Sequence, residues 1–249
     1  MIYKASRGRP YPLGSCADNQ GVNFAIYSSV AKGIELCLFD QLGSRSVQSI
    51  AMHRGEEQIW HVYLPGATAG LVYAYRLENS DSTAENLGQP RQLLLDPYAK
   101  ALCFTDDAMP QLSLLETQSP SAQSQLMKAK VSDLAYYKGS KPKIPWSRTI
   151  IYECHVKGVT YLDMQLEPRY RGKFLGLAQA SFIDKIKKLG ITTIELLPVQ
   201  HFLSEPLLSD KGLSNYWGYN TVCFFSPHAD YLLKGEVVEF QQMVAILHL

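Results

Sequence analysis

Seven consecutive residues, Ser214-Asn215-Tyr216-Trp217-Gly218-Tyr219-Asn220, place three large aromatics, two amides and one glycine side by side. They follow Thr192-Thr193-Ile194-Glu195-Leu196-Leu197-Pro198-Val199, an apolar run of the kind that forms a buried strand. Aromatic rings beside amides in a loop beyond a strand suit a sugar. A pyranose offers one CH face on which a ring can stack and a rim of hydroxyls that carboxamides can bond. The competing reading is a loop whose rings cap a core, since aromatic side chains bury large areas and usually serve packing. Both readings stand on these residues alone.

The totals bound what can position such a loop. At 249 residues the chain can hold one large domain or two smaller ones. Hydrophobic residues at 46% and charged residues at 19% are ordinary for a globular fold. A net charge of +1 supplies no field to gather nucleic acid or an acidic membrane, so neither is an expected partner. Cys16, Cys37, Cys103, Cys154 and Cys223 are scattered without a CxxC pair, which argues against a disulfide framework or a structural zinc site. Cys37, Cys154 and Cys223 lie in apolar strand-like runs and read as small core residues. Met1 to Pro10 has no apolar h-region and no apolar run approaches ~20 residues, so neither a signal peptide nor a membrane span is expected, and the cytoplasm is the expected compartment.

The first ~100 residues read as all-β. Alternating runs occur at Val22 to Ser28, Ile34 to Asp40, Val47 to Met52, Gln58 to Leu64 and Leu71 to Leu77. Turn residues separate them at Lys32-Gly33, Leu42-Gly43-Ser44, Arg54-Gly55 and Pro65-Gly66-Ala67. Short, evenly spaced strands predict an immunoglobulin-like antiparallel β-sandwich over 1–105. Trp60 fits either its core or an exposed sugar platform. From 106 to 148 the composition turns to Ser, Gln, Pro and Lys, and the segment reads as a linker over the surface, its middle (Ser119 to Lys130) mobile.

After Pro145-Trp146 the pattern changes. Thr149 to Val156 is an apolar run broken by Glu153 and His155, as in a parallel strand covered on both faces. Gly176 to Lys188 has helical spacing, with Phe182, Ile183, Ile186 and Leu189 on one face and Gly190 as a left-handed stop. Ile191 to Val199 reads as the next strand, and Glu236 to Leu249 as a helix with Phe240, Met243, Val244 and Leu247 in register. Strand, helix, strand, aromatic loop, helix is how a βαβα series opens. The expected fold over 149–249 is therefore the first part of an incomplete (β/α)8 barrel, which in full needs ~250 residues.

On these residues the chain resembles the glycogen debranching enzymes of isoamylase type, in the α-amylase superfamily (glycoside hydrolase family 13). Ile151-Tyr152-Glu153-Cys154-His155-Val156-Lys157-Gly158-Val159-Thr160 looks like that family's first barrel strand, and Ile191 to Val199 like its second. Gly212 to Asn220 looks like the loop entering the donor-sugar subsite, and Leu93-Leu94-Leu95-Asp96-Pro97-Tyr98-Ala99-Lys100 like the end of its N-terminal carbohydrate-binding module. The resemblance covers nearly the whole chain and is weakest between Asp106 and Lys143. It implies hydrolysis of α-1,6 branch linkages in glycogen or limit dextrin by a retaining pair of carboxyl groups about 5 Å apart. It implies an α-glucan partner and no cofactor.

By the same resemblance Tyr219 stacks on the sugar at the cleavage point, with Trp217 and Asn215 in the same pocket. The family's catalytic carboxylates lie on its fourth, fifth and seventh strands. Glu239 to Leu249 resembles the helix before its third strand, so no catalytic residue is expected within this sequence and the chain alone is expected to be inactive. Glu153 and Glu195, on the two expected strands, read as polar partners in the barrel interior or near its mouth, where an unpaired buried charge would be costly. His155 and His201 lack a third ligand at metal-binding spacing and read as core or loop histidines. A glucan-binding protein without catalysis, or a fragment of a sister branching enzyme or trehalohydrolase, would share much of this pattern. Leu203 to Leu213, ahead of the aromatic loop, favours debranching.

Overall fold

The alternating runs of the first third fold as strands in the computed structural model, which describes residues 2–78, 93–104, 127–133 and 139–249. The chain divides into two compact units, Met1–Asp133 with Leu203–Ser214, and Leu134–Phe202 with Asn215–Leu249. Among the described residues no helix is long and apolar enough to cross a membrane.

In the first unit the strands are β1 (Gly14–Ala17), β2 (Gly21–Tyr27), β3 (Gly33–Phe39), β4 (Ser46–Ala51), β5 (His53–Arg54), β6 (Ile59–Pro65), β7 (Val72–Glu78), β8 (Leu93–Leu94), β9 (Ala101–Cys103) and β10 (Lys128–Lys130). One antiparallel sheet has the order β1-β2-β6-β5. The other runs β4-β3-β7-β10-β9, with β8 also on β7. Alternation along a strand sends every second side chain to one face. Val22 is thereby paired with Leu64, Phe24 with Val62 and Ile26 with Trp60. In the other sheet Leu36 is paired with Tyr75 and Leu38 with Tyr73. Phe24 of one sheet meets Tyr73 of the other edge to face, ring centroids 4.8 Å apart, so these faces form the core of a sandwich. Trp60 belongs to that core at 4% exposure and donates its indole N–H to the Ser28 carbonyl at 3.3 Å, which removes it as a sugar platform.

One expectation needs correction. The span 106–148, read as linker, contributes β10, which lies between β7 and β9 with Met127, Ala129 and Val131 buried. Its alternation is short and the lysines around it mask it. Lys128 is itself buried, its ammonium 5.0 Å from the Phe39 ring centre, and burial pulls its pKa down to about 8. Positions 105–126 and 134–138, including most of the stretch expected to be mobile, lie outside the described residues. So do 79–92, which hold the polar stretch Ser80 to Gln92.

The second unit opens with β11 (Ile151–Cys154), then α1 (Val156–Thr160), α2 (Phe174–Leu177), α3 (Ala180–Lys188) and β12 (Thr193–Leu196). β13 (Gln200–Phe202) follows, and α4 (Pro206–Ser209) lies in the segment grouped with the first unit. β14 (Thr221–Pro227) and α5 (Val238–Leu247) complete the chain. β11 and β12 pair in parallel, Ile151 beside Thr193 through Cys154 beside Leu196, with the helices between them in sequence, so this is a strand–helix–strand unit. β13 and β14 pair antiparallel. The core is Val156, Phe174, Leu177, Phe182, Ile186, Phe202, Tyr231 and Met243, with Phe240, Val244 and Leu247 packed against it.

The helical spacings therefore placed Phe182 and Ile186 of α3 and Phe240, Met243, Val244 and Leu247 of α5 in or against the core, while Ile183 is only half-buried and Leu189 lies outside it. That side chain is 69% exposed because it caps α3, where the chain turns away through Gly190 at φ +78. The expectation of a sheet covered on both faces is also corrected. Ile151 is 49% exposed, and Glu153, Thr193 and Glu195 on the same face are exposed too. A closed barrel is not present among the described residues.

Asp96 is the polar centre of the sandwich. It is fully buried and accepts the Tyr73 hydroxyl at 2.6 Å and the Tyr98 N–H at 2.9 Å. Burial raises its pKa, and the bonds from Tyr73 and Tyr98 offset part of that. A carboxyl with a raised folded value contributes stability that is fully present below its unfolded pKa and lost as pH rises through the folded one. Asp96→Asn removes the buried charge and keeps one acceptor oxygen for the Tyr98 N–H, while its amide N–H can donate to the Tyr73 hydroxyl oxygen, so it should lose less urea stability at pH 7 than a substitution that removes both polar atoms. Asp96→Ala orphans the Tyr73 hydroxyl and should cost about 1–3 kcal/mol in the same measurement.

Candidate functional site

The site is built where β11 becomes α1. His155 is the first residue past the strand, still extended at φ −94, ψ 129, and it is the N-cap of α1. Its Nδ1 accepts the backbone N–H of Lys157 at 3.1 Å and of Gly158 at 3.0 Å. This bonds two of the donors that a helix start leaves unsatisfied. Two donors facing Nδ1 assign the ring proton to Nε2. Nε2–H donates to the Tyr216 carbonyl at 2.7 Å, with the Tyr231 hydroxyl 3.1 Å away. The Tyr216 ring lies flat on the imidazole, centroids 4.3 Å apart and planes within 9°.

From that anchor the aromatic loop is shaped by local bonds. Asn215 Oδ1 accepts the Gly218 N–H at 2.9 Å, closing a turn. Gly218 sits at φ +78 and is buried, and a Cβ there would stand 2.7 Å from the Phe202 ring, so only glycine fits. Trp217 crosses Tyr216 edge-on at 5.2 Å. The result is that Trp217 is 57% exposed and Tyr219 70% exposed, more than Tyr216 at 42%, on a loop whose Gly218 is buried. An exposed aromatic pair on a braced loop can stack against the CH faces of a chain of sugars at little ordering cost.

The three residues named from the sequence thus lie on one loop, in different roles. Trp217 and Tyr219 present rings to solvent. The Asn215 carboxamide oxygen faces its own loop, so this side chain shapes the site. His155 and Tyr216 are what single-sequence reading missed, because their partnership spans 61 residues of chain. The only local signal was a histidine directly after an apolar strand.

Behind the loop the packing is aromatic and histidine-rich. His228 stacks on Phe202 at 3.7 Å and lies 5.1 Å from His201 and 4.9 Å from Tyr231, by ring centres. Burial holds His155 below the ordinary imidazole range and drives His201 down to about 3. His228 Nε2 lies 3.8 Å from the Asp230 carboxylate. His155 uses both ring nitrogens, so it has no lone pair for a metal. No cluster of three metal-ligating side chains occurs among the described residues.

Glu153 and Glu195 are side by side in the β11–β12 register and project from the exposed sheet face. Among the described residues neither makes an ion pair.

Residues 12–99 match the carbohydrate-binding module 48 family, described as the isoamylase N-terminal domain. Among solved structures the chain is similar to a pullulanase from Bacillus acidopullulyticus, with 21% identity and TM-score 0.70 over 95% of this chain and 28% of that one. It is similar to the GBS pullulanase SAP in complex with maltotetraose, with 23% identity and TM-score 0.70 over 95% of this chain and 32% of that one. The catalytic module of the glycogen-degrading pneumococcal virulence factor SpuA aligns with 23% identity and TM-score 0.69, over 95% of this chain and 36% of that one. At these identities the likeness is one of fold. The chain spans about a third of the length of these structures.

Two outcomes follow from this geometry. A Cβ on Gly158 would run into the Tyr216 hydroxyl, so Gly158→Ala should displace Tyr216 and shift the Trp217 indole resonance while the β-sandwich resonances stay in place. The histidines set the response to acid. A folded value depressed below the unfolded ~6.5 contributes stability that is complete above that pH and lost as pH falls. With His201 at about 3, the second unit should lose several kcal/mol of stability between roughly pH 6.5 and pH 3. Amide resonances of the second unit should therefore collapse before those of the sandwich in an acid titration.

Proposed function

We propose that this chain is the N-terminal, glucan-holding part of an α-glucan debranching enzyme of glycoside hydrolase family 13, in which the sandwich and the aromatic loop both bind α-1,4-linked glucose chains. The observation that carries the reading is the exposed pair Trp217 and Tyr219 on a loop braced by His155. The module match over 12–99 supports it, and so does the fold likeness to pullulanases, of which one was solved with maltotetraose.

In this reading β11, α1 to α3 and β12 are the opening of the (β/α)8 catalytic barrel of the whole enzyme. The parent reaction is hydrolysis of α-1,6 branch points in glycogen or limit dextrin, of the isoamylase kind. The 249-residue chain itself binds glucan without turnover. What supports that is the placement of Glu153 and Glu195 side by side on an exposed strand pair, whereas retaining hydrolysis needs two carboxyl groups flanking the scissile bond.

Stacking of a ring on a sugar is on the order of 1 kcal/mol, about fivefold in affinity. Tyr219→Ala and Trp217→Ala should each weaken maltotetraose binding by about that factor. The measurement is the sugar-dependent shift of resonances of the Asn215–Asn220 loop, which isolates this site from any binding at the sandwich. A loop that maltotetraose does not perturb would refute the site. Release of reducing ends from pullulan or glycogen by the purified chain would refute binding without turnover.

A further inference from the structure

We propose that His155 is the positioning residue of the sugar-facing loop: its bare Nδ1 and its Nε2–H tie that loop to the first turn of α1, and protonation at Nδ1 releases it, so that glucan binding at Trp217 and Tyr219 is acid-sensitive. This rests on the reading of that loop as a glucan site.

The geometry separates two jobs within one ring. Nδ1 serves the helix, accepting from Lys157 and Gly158, while Nε2 and the ring face serve the loop through the Tyr216 carbonyl and the stacked Tyr216 ring. A proton on Nδ1 would point a third donor at two donors, with no acceptor between them, and an N-cap that cannot accept is lost. The ring must then turn or withdraw, and either motion breaks the Nε2–H bond and the stack that hold Tyr216, with Trp217 packed edge-on against it.

The surroundings keep the ring neutral until the solution is acidic. Burial lowers its proton affinity most, the bond to the Tyr216 carbonyl raises it, and the charges of Lys157 on α1 and His228 across the core lower it. Tyr231, edge-on at 5.8 Å, stays protonated because burial raises its own value, and Asp230 is at 3.8 Å from His228. Release is therefore expected below the ordinary imidazole value of ~6.5.

The test uses the full chain. In nitrogen-15 NMR of the histidine side chains, His155 should be the Nε2–H tautomer at neutral pH. On acidification its protonation and the Trp217 indole shift should share one midpoint, and maltotetraose affinity at the loop should fall about fivefold across it. His155→Asn keeps an oxygen that can cap α1 but has no ring to hold Tyr216. It should show the acid-type Trp217 signal at every pH, bind maltotetraose about fivefold more weakly at neutral pH and have no midpoint. An indole signal indifferent to His155 protonation overturns the proposal, as does a His155→Asn protein with parental signal and affinity. If that variant does not fold, the titration of the parent decides by the shared midpoint. If the indole follows His155 but maltotetraose never perturbs the loop, the positioning role stands and the glucan reading of the loop falls.

Discussion

A single neutral imidazole joins the three parts of the second unit that matter for the site. His155 terminates β11, starts α1 and carries the loop from Asn215 to Asn220. Each attachment uses a different feature of the ring: the lone pair of Nδ1, the proton of Nε2 and the flat face. Alanine could do none of these and asparagine only the first. The ring is buried and bonded at both nitrogens, at 2.7 to 3.1 Å, so Tyr216, on which Trp217 packs edge-on, is fixed to the start of α1.

The first unit solves a different problem. Its two antiparallel sheets bury one face each, and the Phe24–Tyr73 contact shows the two faces meeting. Tyr73 brings a hydroxyl into that core, and Asp96 answers it from the Leu-Asp-Pro-Tyr turn. A buried polar group is tolerated where it is bonded, and here the bond ties that turn to the start of β7. The two units therefore respond to pH in opposite senses. A buried carboxyl favours acid, whereas buried neutral histidines favour neutrality.

The placement of acidic residues bears on function as much as the aromatics do. Glycosyl hydrolysis needs one carboxyl held protonated beside one held ionised. Glu153 and Glu195 share a register position, a solvated face and the same lack of ion pairs among the described residues. The exposed rings of Trp217 and Tyr219 lie on a loop held by His155, and neither glutamate belongs to that loop.

Much of this was legible in the residues themselves. Period-two alternation located β2, β3, β4, β6 and β7 to within about a residue of their ends, because a one-sided strand must alternate whatever covers it. Helical spacing found Phe182 and Ile186 of α3 and the apolar face of α5 for the same reason, and the composition of Ser214 to Asn220 singled out the loop on which Trp217 and Tyr219 are exposed. What stayed hidden depends on partners distant in sequence. β10 is too short and too basic to announce itself, and only its neighbours β7 and β9 make Met127, Ala129 and Val131 a strand. The end of β11 at Cys154, the assignment of Asn215 to its own turn and the pairing of His155 with Tyr216 follow from where backbone donors and acceptors meet in space. Sequence determines which residues can stack, cap or bond; tertiary structure decides which do, because each such choice consumes a partner that only the folded chain brings within 3 Å.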